Sequence, residues 1–279
     1  MALSAQEFAF VSDLVRRESA IVLGPGKEYL VESRLLPLAR RTGAGSVSEY
    51  VSAARRQPTP AIHRGIVEAL TTNETSWFRD VEPFSAVTES VLPELVASRT
   101  GSQTLRIWSA ACSSGQEPYS LAMVLQDNLP PGWNYQMMAT DLSTEMLARA
   151  EKGRYSQLEM NRGLPAAMLV RHFERVGTDW QVSAGLRRNI TFQAINLAAS
   201  LPLAAPFDVI FLRNVLIYFD LETKRAVLQR VRKLLRPGGW LFLGSAETTL
   251  GLDTDFERIV ARRTSAYRLR SGYTALASA

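Results

Sequence analysis

The sequence is poor in the residues that build metal sites and disulfides: of 279 residues, one is cysteine and two are histidine. Cys112 alone excludes an internal disulfide. His63 and His172 cannot join it in any usual zinc spacing, so no structural metal is expected. No apolar run approaches the roughly 20 residues of a membrane span, and the N-terminus carries no signal-peptide pattern, so a cytoplasmic protein is expected. Like charges form no block, and no internal repeat is visible. Lysine and arginine exceed aspartate and glutamate by 32 to 27, a formal charge of +5. That excess favours an acidic partner, while its scatter describes a solvated surface equally well. With 46% hydrophobic residues, the chain can bury one large core or two modest ones.

What is present is organised around Leu105 to Ser120, LRIWSAACSSGQEPYS. A short apolar run falls into small turn-forming residues and then into an amphipathic helix over Tyr119 to Leu129. Pro118 suits a first helical turn, where its missing donor costs nothing. Only Gly115 is present in the turn, so no dinucleotide fingerprint is spelled out. In a parallel α/β sheet, ligands sit where the first strand gives way to its helix. On these residues alone, a plain strand–helix turn and a ligand site stand level.

Residues 1 to 72 carry helical spacings and little strand, punctuated by Gly24-Pro25-Gly26, Gly43-Ala44-Gly45 and Pro58-Thr59-Pro60. They predict a small helical domain, with Lys27, Arg34, Arg40, Arg41, Arg55 and Arg56 available for a basic face. Leu70 to Asp80 is polar at its start and runs into two aromatics and an arginine, Trp77-Phe78-Arg79; a domain linker is its plainest reading. Val81 to Val96 has helical spacing, so residues 73–98 are expected to link the domains and pack on the second. From Leu105 onward, strands and helices alternate as a doubly wound sheet requires. Tyr135 to Thr140 is a second strand ending in Asp141, placed to accept from ribose hydroxyls or, alternatively, to cap the helix at Thr144 together with Ser143. Residues 153–190 interrupt the alternation and read as a small antiparallel insert. Ile190 to Ile195, Phe207 to Leu212 and Trp240 to Leu243 resume the sheet, with Leu221 to Leu235 a helix stopped by Pro237-Gly238-Gly239. The domain from 99 to 270 closes on a pair of strands over Phe256 to Val260 and Thr264 to Leu269. Residues 271–279 look like a disordered tail.

Taken together, Asn73-Glu74-Thr75-Ser76-Trp77-Phe78-Arg79, Trp108 to Ser120, Ala139-Thr140-Asp141-Leu142-Ser143, Phe207 to Ile210 with Arg213 to Phe219, and Leu235-Arg236-Pro237-Gly238-Gly239 resemble the CheR-type chemotaxis receptor methyltransferases. Five motifs in register are far more specific than one. The resemblance implies an α/β fold: a Rossmann-like S-adenosylmethionine-dependent methyltransferase sheet, an N-terminal all-helical domain and a small inserted β-subdomain. It implies methyl transfer from S-adenosylmethionine to glutamate side chains on the cytoplasmic helices of chemoreceptors, giving glutamyl methyl esters and S-adenosylhomocysteine, in sensory adaptation. By it, Asn73, Thr75, Arg79, Glu117, Asp141, Asn196, Leu197, Arg213 and Asn214 fall on cofactor-pocket positions, and Arg79 and Tyr218 on positions implicated in the reaction. The polar segment before Phe78 then covers the cofactor rather than merely linking domains. Arg34, Arg40 and Arg41 fall where the helical domain contacts the receptor. The expected partner is the cytoplasmic domain of methyl-accepting chemoreceptors, with no nucleic acid, no membrane insertion and a monomer preferred.

The residue types suit this chemistry. A glutamate with a pKa of roughly 4.3 is already ionised at neutral pH, so the shortage of histidine is no obstacle. Arg79 can steer a carboxylate, and the Tyr218 hydroxyl can orient one oxygen while its ring lies near a sulfonium. Without the resemblance, a packed aromatic at a strand end explains Tyr218 as well. A nucleic-acid amino-methyltransferase would carry prolines in the stretch Asn214-Val215-Leu216-Ile217-Tyr218, which has none. A degenerate receptor-binding module is disfavoured by the presence of Asp141, Glu117 and Arg79 together. Glu174 to Gly185 looks too short for the loop with which some members dock a receptor C-terminal pentapeptide, so independence of that tether is expected.

Overall fold

The computed structural model describes residues 3–99, 101–202 and 206–270; the expected tail at 271–279 lies outside them. Backbone contacts divide the chain into two units, Met1–Thr72 with Tyr218–Thr223, and Asn73–Ile217 with Lys224–Ala279.

The first unit contains helices α1 (Ala5–Ser19), α2 (Glu28–Arg41), α3 (Val47–Arg56) and α4 (Pro60–Leu70). Val11, Leu14 and Val15 of α1, Val31 and Leu35 of α2, Tyr50 and Val51 of α3, and Ile66 and Val67 of α4 are buried, so each helix turns one apolar stripe inward. Starts are set by Ser4, Ser46 and Thr59, whose hydroxyls accept the N–H of Glu7, Glu49 and Ile62. Glu7 returns the favour in a capping box and also accepts the hydroxyls of Ser48 at 2.5 Å and Ser52 at 3.2 Å, tying α1 to α3. The segment 218–223 closes this unit: Phe219 pairs with Ile21, the N–H of Val22 donates to the Tyr218 carbonyl at 3.0 Å, and Arg16 bridges to Asp220 at 3.0 Å. Sequence order gave no sign of this return.

The second unit opens with α5 (Glu82–Ala86), a π-helical turn (Val87–Val91) and α6 (Leu92–Ser98). Its strands and helices follow as β1 (Thr104–Ala110), α7 (Gln116–Asn128), β2 (Asn134–Asp141), α8 (Thr144–Lys152), β3 (Arg154–Ser156), α9 (Gln157–Met160), α10 (Ala166–His172), β4 (Phe173–Val176), β5 (Asp179–Val182), α11 (Ala184–Arg187), β6 (Ile190–Ala194), β7 (Phe207–Leu212), α12 (Leu221–Leu234), β8 (Leu235–Leu243), β9 (Phe256–Ala261) and β10 (Thr264–Leu269). A seven-stranded sheet runs in the order β6-β2-β1-β7-β8-β10-β9, parallel except for β10, which is antiparallel to both its neighbours. The order reverses beside β1, which places a switch point between β1 and β7. All six residues of β7 are buried, as a strand covered on both faces requires.

The insert is a three-stranded antiparallel sheet, β3-β5-β4, in which Gly177-Thr178 joins β4 to β5. One boundary differs from expectation. Pro237-Gly238-Gly239 does not separate helix from strand; β8 begins at Leu235 and bulges, pairing Leu235 with Phe207 and then Trp240 with Val209. Gly239 permits the bulge, because a Cβ there would meet the Arg236 and Asp208 carbonyls at 2.9 and 3.0 Å.

Candidate active site

The C-terminal ends of β1, β2 and β7 lie side by side, with Ala110 registered on Thr140 and on Leu212. After Ala110 the chain folds through a tight turn in which Ala111 (φ +58°), Ser113 (φ +50°) and Gly115 (φ +97°) are left-handed. Gly115 is required there: a Cβ would stand 2.9 Å from both Ala150 Cβ and the Tyr155 hydroxyl. Asp141, at the end of β2, fixes this turn by accepting the N–H of Ser113 at 2.8 Å and that of Ser143 at 2.9 Å. The capping of α8 falls to Ser143, whose hydroxyl accepts the N–H of Met146 at 3.3 Å. Of the two readings of Asp141, helix capping is therefore supplied by its neighbour.

The segment 73–81 is bound closely to this edge. The Asn73 carbonyl accepts the Ser113 hydroxyl at 2.8 Å, the N–H of Trp77 donates to Arg162 at 3.1 Å, and the N–H of Phe78 donates to the Ser120 hydroxyl at 3.1 Å. Trp77 packs edge-on against Tyr155 and Phe173 at ring distances of 4.8 and 5.3 Å. Phe78 (φ +47°), Asp80 (φ +64°) and Val81 (φ +29°) are left-handed without being glycine. Such strain persists only where surroundings over-determine the backbone, so the plain-linker reading of this segment fails on packing.

Arg213 is the over-determining group. Its side chain is 1% exposed, and it donates to Glu117 at 3.0 Å, to the Arg79 carbonyl at 2.8 Å and to the Asp80 carboxylate at 2.7 Å. Phe84 and Phe211 rings lie 5.8 and 6.0 Å from its guanidinium carbon, and its Nε is buried with no hydrogen-bond partner among the described residues. Glu117 also accepts the Ser109 hydroxyl at 2.8 Å. Burial pushes the Glu117 carboxyl above its ordinary value, with Arg213 the chief opposing influence. Burial likewise pushes the Cys112 thiol well up, helped by Asp141 and then Glu117, a sign that the turn disfavours added negative charge. The Arg79 side chain is half-buried and donates to the Glu74 carbonyl at 3.1 Å.

Asn196 and Leu197 follow β6 beside β2: the Asn196 carboxamide accepts the N–H of Ala198 at 2.9 Å, and Leu197 is buried. Asn214 (φ +58°) follows Arg213 after β7. The second unit thus gathers Asn73, Thr75, Arg79, Glu117, Asp141, Asn196, Leu197, Arg213 and Asn214 on segments that leave the sheet at this edge or cover it. Tyr218, Arg34, Arg40 and Arg41 belong to the first unit. Arg34 is engaged there, donating to the carbonyls of Leu70 at 2.9 Å and Thr71 at 2.8 Å at the end of α4. Arg40 and Arg41 are exposed in the last turn of α2.

Residues 73–265 match the family described as CheR methyltransferase, SAM binding domain, and residues 6–71 match CheR methyltransferase, all-alpha domain. The chain belongs to the CheR methyltransferase family. Among curated relatives of the family, chemotaxis protein methyltransferase 1 of Pseudomonas aeruginosa is 41% identical over 278 residues, 97% of this chain and all of that protein. The chemotaxis protein methyltransferases of Vibrio parahaemolyticus and Escherichia coli are 38% and 34% identical, over 96% and 92% of this chain and 98% and 89% of their own lengths. The resemblance seen in the motifs is thereby established, as are the Rossmann-like methyltransferase fold with its all-helical N-terminal domain and the S-adenosylmethionine cofactor. The donor set fits that cofactor. A sulfonium is a cation, and the carboxylates of Glu117 and Asp141 flank the turn between β1 and α7, while the buried Arg213 Nε is a donor lacking an acceptor among the described residues. Among the described residues, no cluster could hold a metal ion, and no helix is long and apolar enough to cross a membrane.

Glu247 escaped sequence reasoning. It lies in the loop four residues past β8, where no strand end marks it as the end of β2 marks Asp141.

Proposed function

We propose that this CheR-family chain acts in the cytoplasm as a monomer, transferring the methyl group of S-adenosylmethionine to glutamate carboxylates of chemoreceptor cytoplasmic helices and forming methyl esters that set sensory adaptation. The carrying observation is the Arg213 clamp, which holds the Arg79 carbonyl and the Asp80 carboxylate together with Glu117 of α7. When bound, the cofactor supplies a methyl group on a positively charged sulfur, open to attack by an oxygen nucleophile. Asn73, Thr75, Arg79, Glu117, Asp141, Asn196, Leu197, Arg213 and Asn214 are the residues assigned to hold it, with the carboxylate of Asp141 suited to ribose hydroxyls and Arg213 to an acceptor on the amino-acid portion.

The substrate carboxylate needs no base, since it is ionised at neutral pH. The reaction brings an anion and a cation to neutral products, so strong charge fixed at the reacting atoms hinders it. Alignment and exclusion of water are what the chain must supply, and alignment of two reactants can be worth about 7–11 kcal/mol. Arg79 steers the incoming carboxylate and Tyr218 orients one of its oxygens. His172 takes no part; it is buried against Asp127 at 3.2 Å.

Arg34, Arg40 and Arg41 are assigned to the receptor, Arg40 and Arg41 on the exposed end of α2 and Arg34 beside the end of α4. The two-residue connection Gly177-Thr178 between β4 and β5 supports independence of a receptor C-terminal pentapeptide. Tight calorimetric binding of that pentapeptide would remove this part of the reading. The whole reading is tested by incubating the protein with labelled cofactor and receptor, then with nucleic acid. Base-labile label on receptor, with the mass of one methyl per modified glutamate, is expected. Label on nucleic acid instead, or base-stable label on receptor, would overturn it.

A further inference from the structure

The backbone after β7 is held by a side chain that the cofactor assignment does not use. One carboxylate oxygen of Glu247 accepts the N–H of Asn214 at 2.8 Å and of Gly244 at 2.7 Å. The other accepts the N–H of Val215 at 2.9 Å and of Ile217 at 3.3 Å. An ionised carboxylate offers about four acceptor sites, so these four donors match its capacity. The approach is close: a Cβ on Gly244 would lie 2.7 Å from the Asn214 carboxamide nitrogen, 2.8 Å from the Glu247 carboxylate and 2.9 Å from the Asn214 backbone nitrogen. Asn214 is itself left-handed at φ +58°, a conformation that a non-glycine residue holds only under constraint.

Arg213 and the Glu247 acceptors therefore fix neighbouring pieces of one loop in two ways. Arg213 points its guanidinium at the segment 79–80, while Glu247 gathers the three N–H groups that follow. We propose that Glu247 is a positioning residue for methyl transfer: it sets the backbone of Asn214 to Ile217, the stretch that begins at the assigned cofactor residue Asn214, without touching the reacting atoms. This rests on the function proposed above.

The choice of a carboxylate matters. Glutamine at this position has one accepting oxygen and an amino group that donates toward backbone donors, so at least part of the set loses its acceptor. A shift of about 1 Å in a group that aligns reactants can cost on the order of 100-fold in rate.

The test uses the full chain with Glu247→Gln and, separately, Gly244→Ala, which keeps the carboxylate but crowds Asn214. Five quantities are read well below the melting temperature: far-UV circular dichroism, S-adenosylhomocysteine affinity, kcat, KM for receptor, and amide hydrogen exchange in peptides covering residues 213–218. Both variants are expected to stay folded and to exchange faster in 213–218 alone. Their kcat should fall by about 10- to 100-fold while KM for receptor stays within about twofold. If Glu247→Gln does not fold, Gly244→Ala decides. Parent-like kcat in a folded variant, or unchanged exchange in 213–218, overturns the proposal. If the parent labels no receptor, the function reading fails instead, and exchange with cofactor affinity still decides whether Glu247 holds this loop.

Discussion

Arg213 and Glu117, 96 residues apart in sequence, meet at 3.0 Å with the guanidinium 1% exposed and the carboxylate 13% exposed. Neither group would be tolerated there alone. Removing one member of a buried pair leaves an uncompensated charge and costs about 3–5 kcal/mol. Arg213→Ala is therefore expected to lower the unfolding free energy read from urea denaturation by that amount and to free the segment 79–80. The loss should depend on pH in a defined direction. Burial already raises the Glu117 carboxyl above 4.5, and Arg213 is the main influence holding it down. A carboxyl raised in the folded state contributes stability below its ordinary value and loses it as pH rises through the folded value. Without Arg213 that loss extends further, so the gap between variant and parent should widen as pH rises above 4.5. A gap constant from pH 4 to 8 would show that Glu117 does not feel Arg213.

Arg79 and Tyr218 were assigned to the reaction by resemblance, and their substitution separates binding from chemistry. Tyr218→Phe removes one hydroxyl and should lower kcat about tenfold, the worth of a hydrogen bond near 1.4 kcal/mol. Arg79→Ala should lower it on the order of 100-fold through lost alignment. Rates are measured with labelled cofactor at saturating receptor, after calorimetry on the cofactor. Variants that fold, bind cofactor and methylate at the parent rate would remove both residues from the mechanism.

Glu7 carries a different prediction, confined to the first unit. Its carboxyl is lowered to about 2, chiefly by the Ser48 hydroxyl and then by the Ser4 backbone and the Ser4 and Ser52 hydroxyls, against the effect of burial. A depressed carboxyl contributes stability above its ordinary value, here 4.5, and loses it as pH falls toward about 2. Glu7→Gln should cost about 1–2 kcal/mol at neutral pH and converge with the parent near pH 2. Thermal melts from pH 2 to 7 read both. A difference that persists undiminished at pH 2 would assign Glu7 to packing alone.

The sequence carried the parts of this architecture that depend on near neighbours. The turn at Ala111 to Gly115 was visible because small residues interrupt an apolar run, and Asp141 because an acid ends the second strand. Long-range partners were not visible. The Arg213 clamp reaches Glu117, Arg79 and Asp80 across about a hundred residues, and Glu247 acts 33 residues from Asn214. No local pattern encodes such pairings. The segment 73–81 was polar and irregular for a reason that sequence inverts: its backbone is held in left-handed conformations by partners elsewhere, so its own propensities say little. The bulge in β8 and the return of 218–223 to the first unit were hidden in the same way.

Gly163 supplies a last test of how far the covering segment is fixed from outside. Its φ is +97°, and a Cβ there would fall on the carbonyl of Trp77, while the adjoining Arg162 carbonyl accepts the N–H of Trp77 at 3.1 Å. Alanine at this position meets both a left-handed backbone, at about 1–2 kcal/mol, and a clash with backbone that cannot rotate away. Gly163→Ala should destabilise the protein by about 2–4 kcal/mol, because Trp77 is buried between Tyr155 and Phe173 and has no room to retreat. Cofactor affinity should fall as well, since the segment carrying Asn73, Thr75 and Arg79 must shift with Trp77. Urea denaturation and calorimetry read the two effects separately. A Gly163→Ala protein with parent stability and weakened cofactor binding would mean that Trp77 yields locally. Parent values in both would mean that the segment is not held by the 162–163 turn at all.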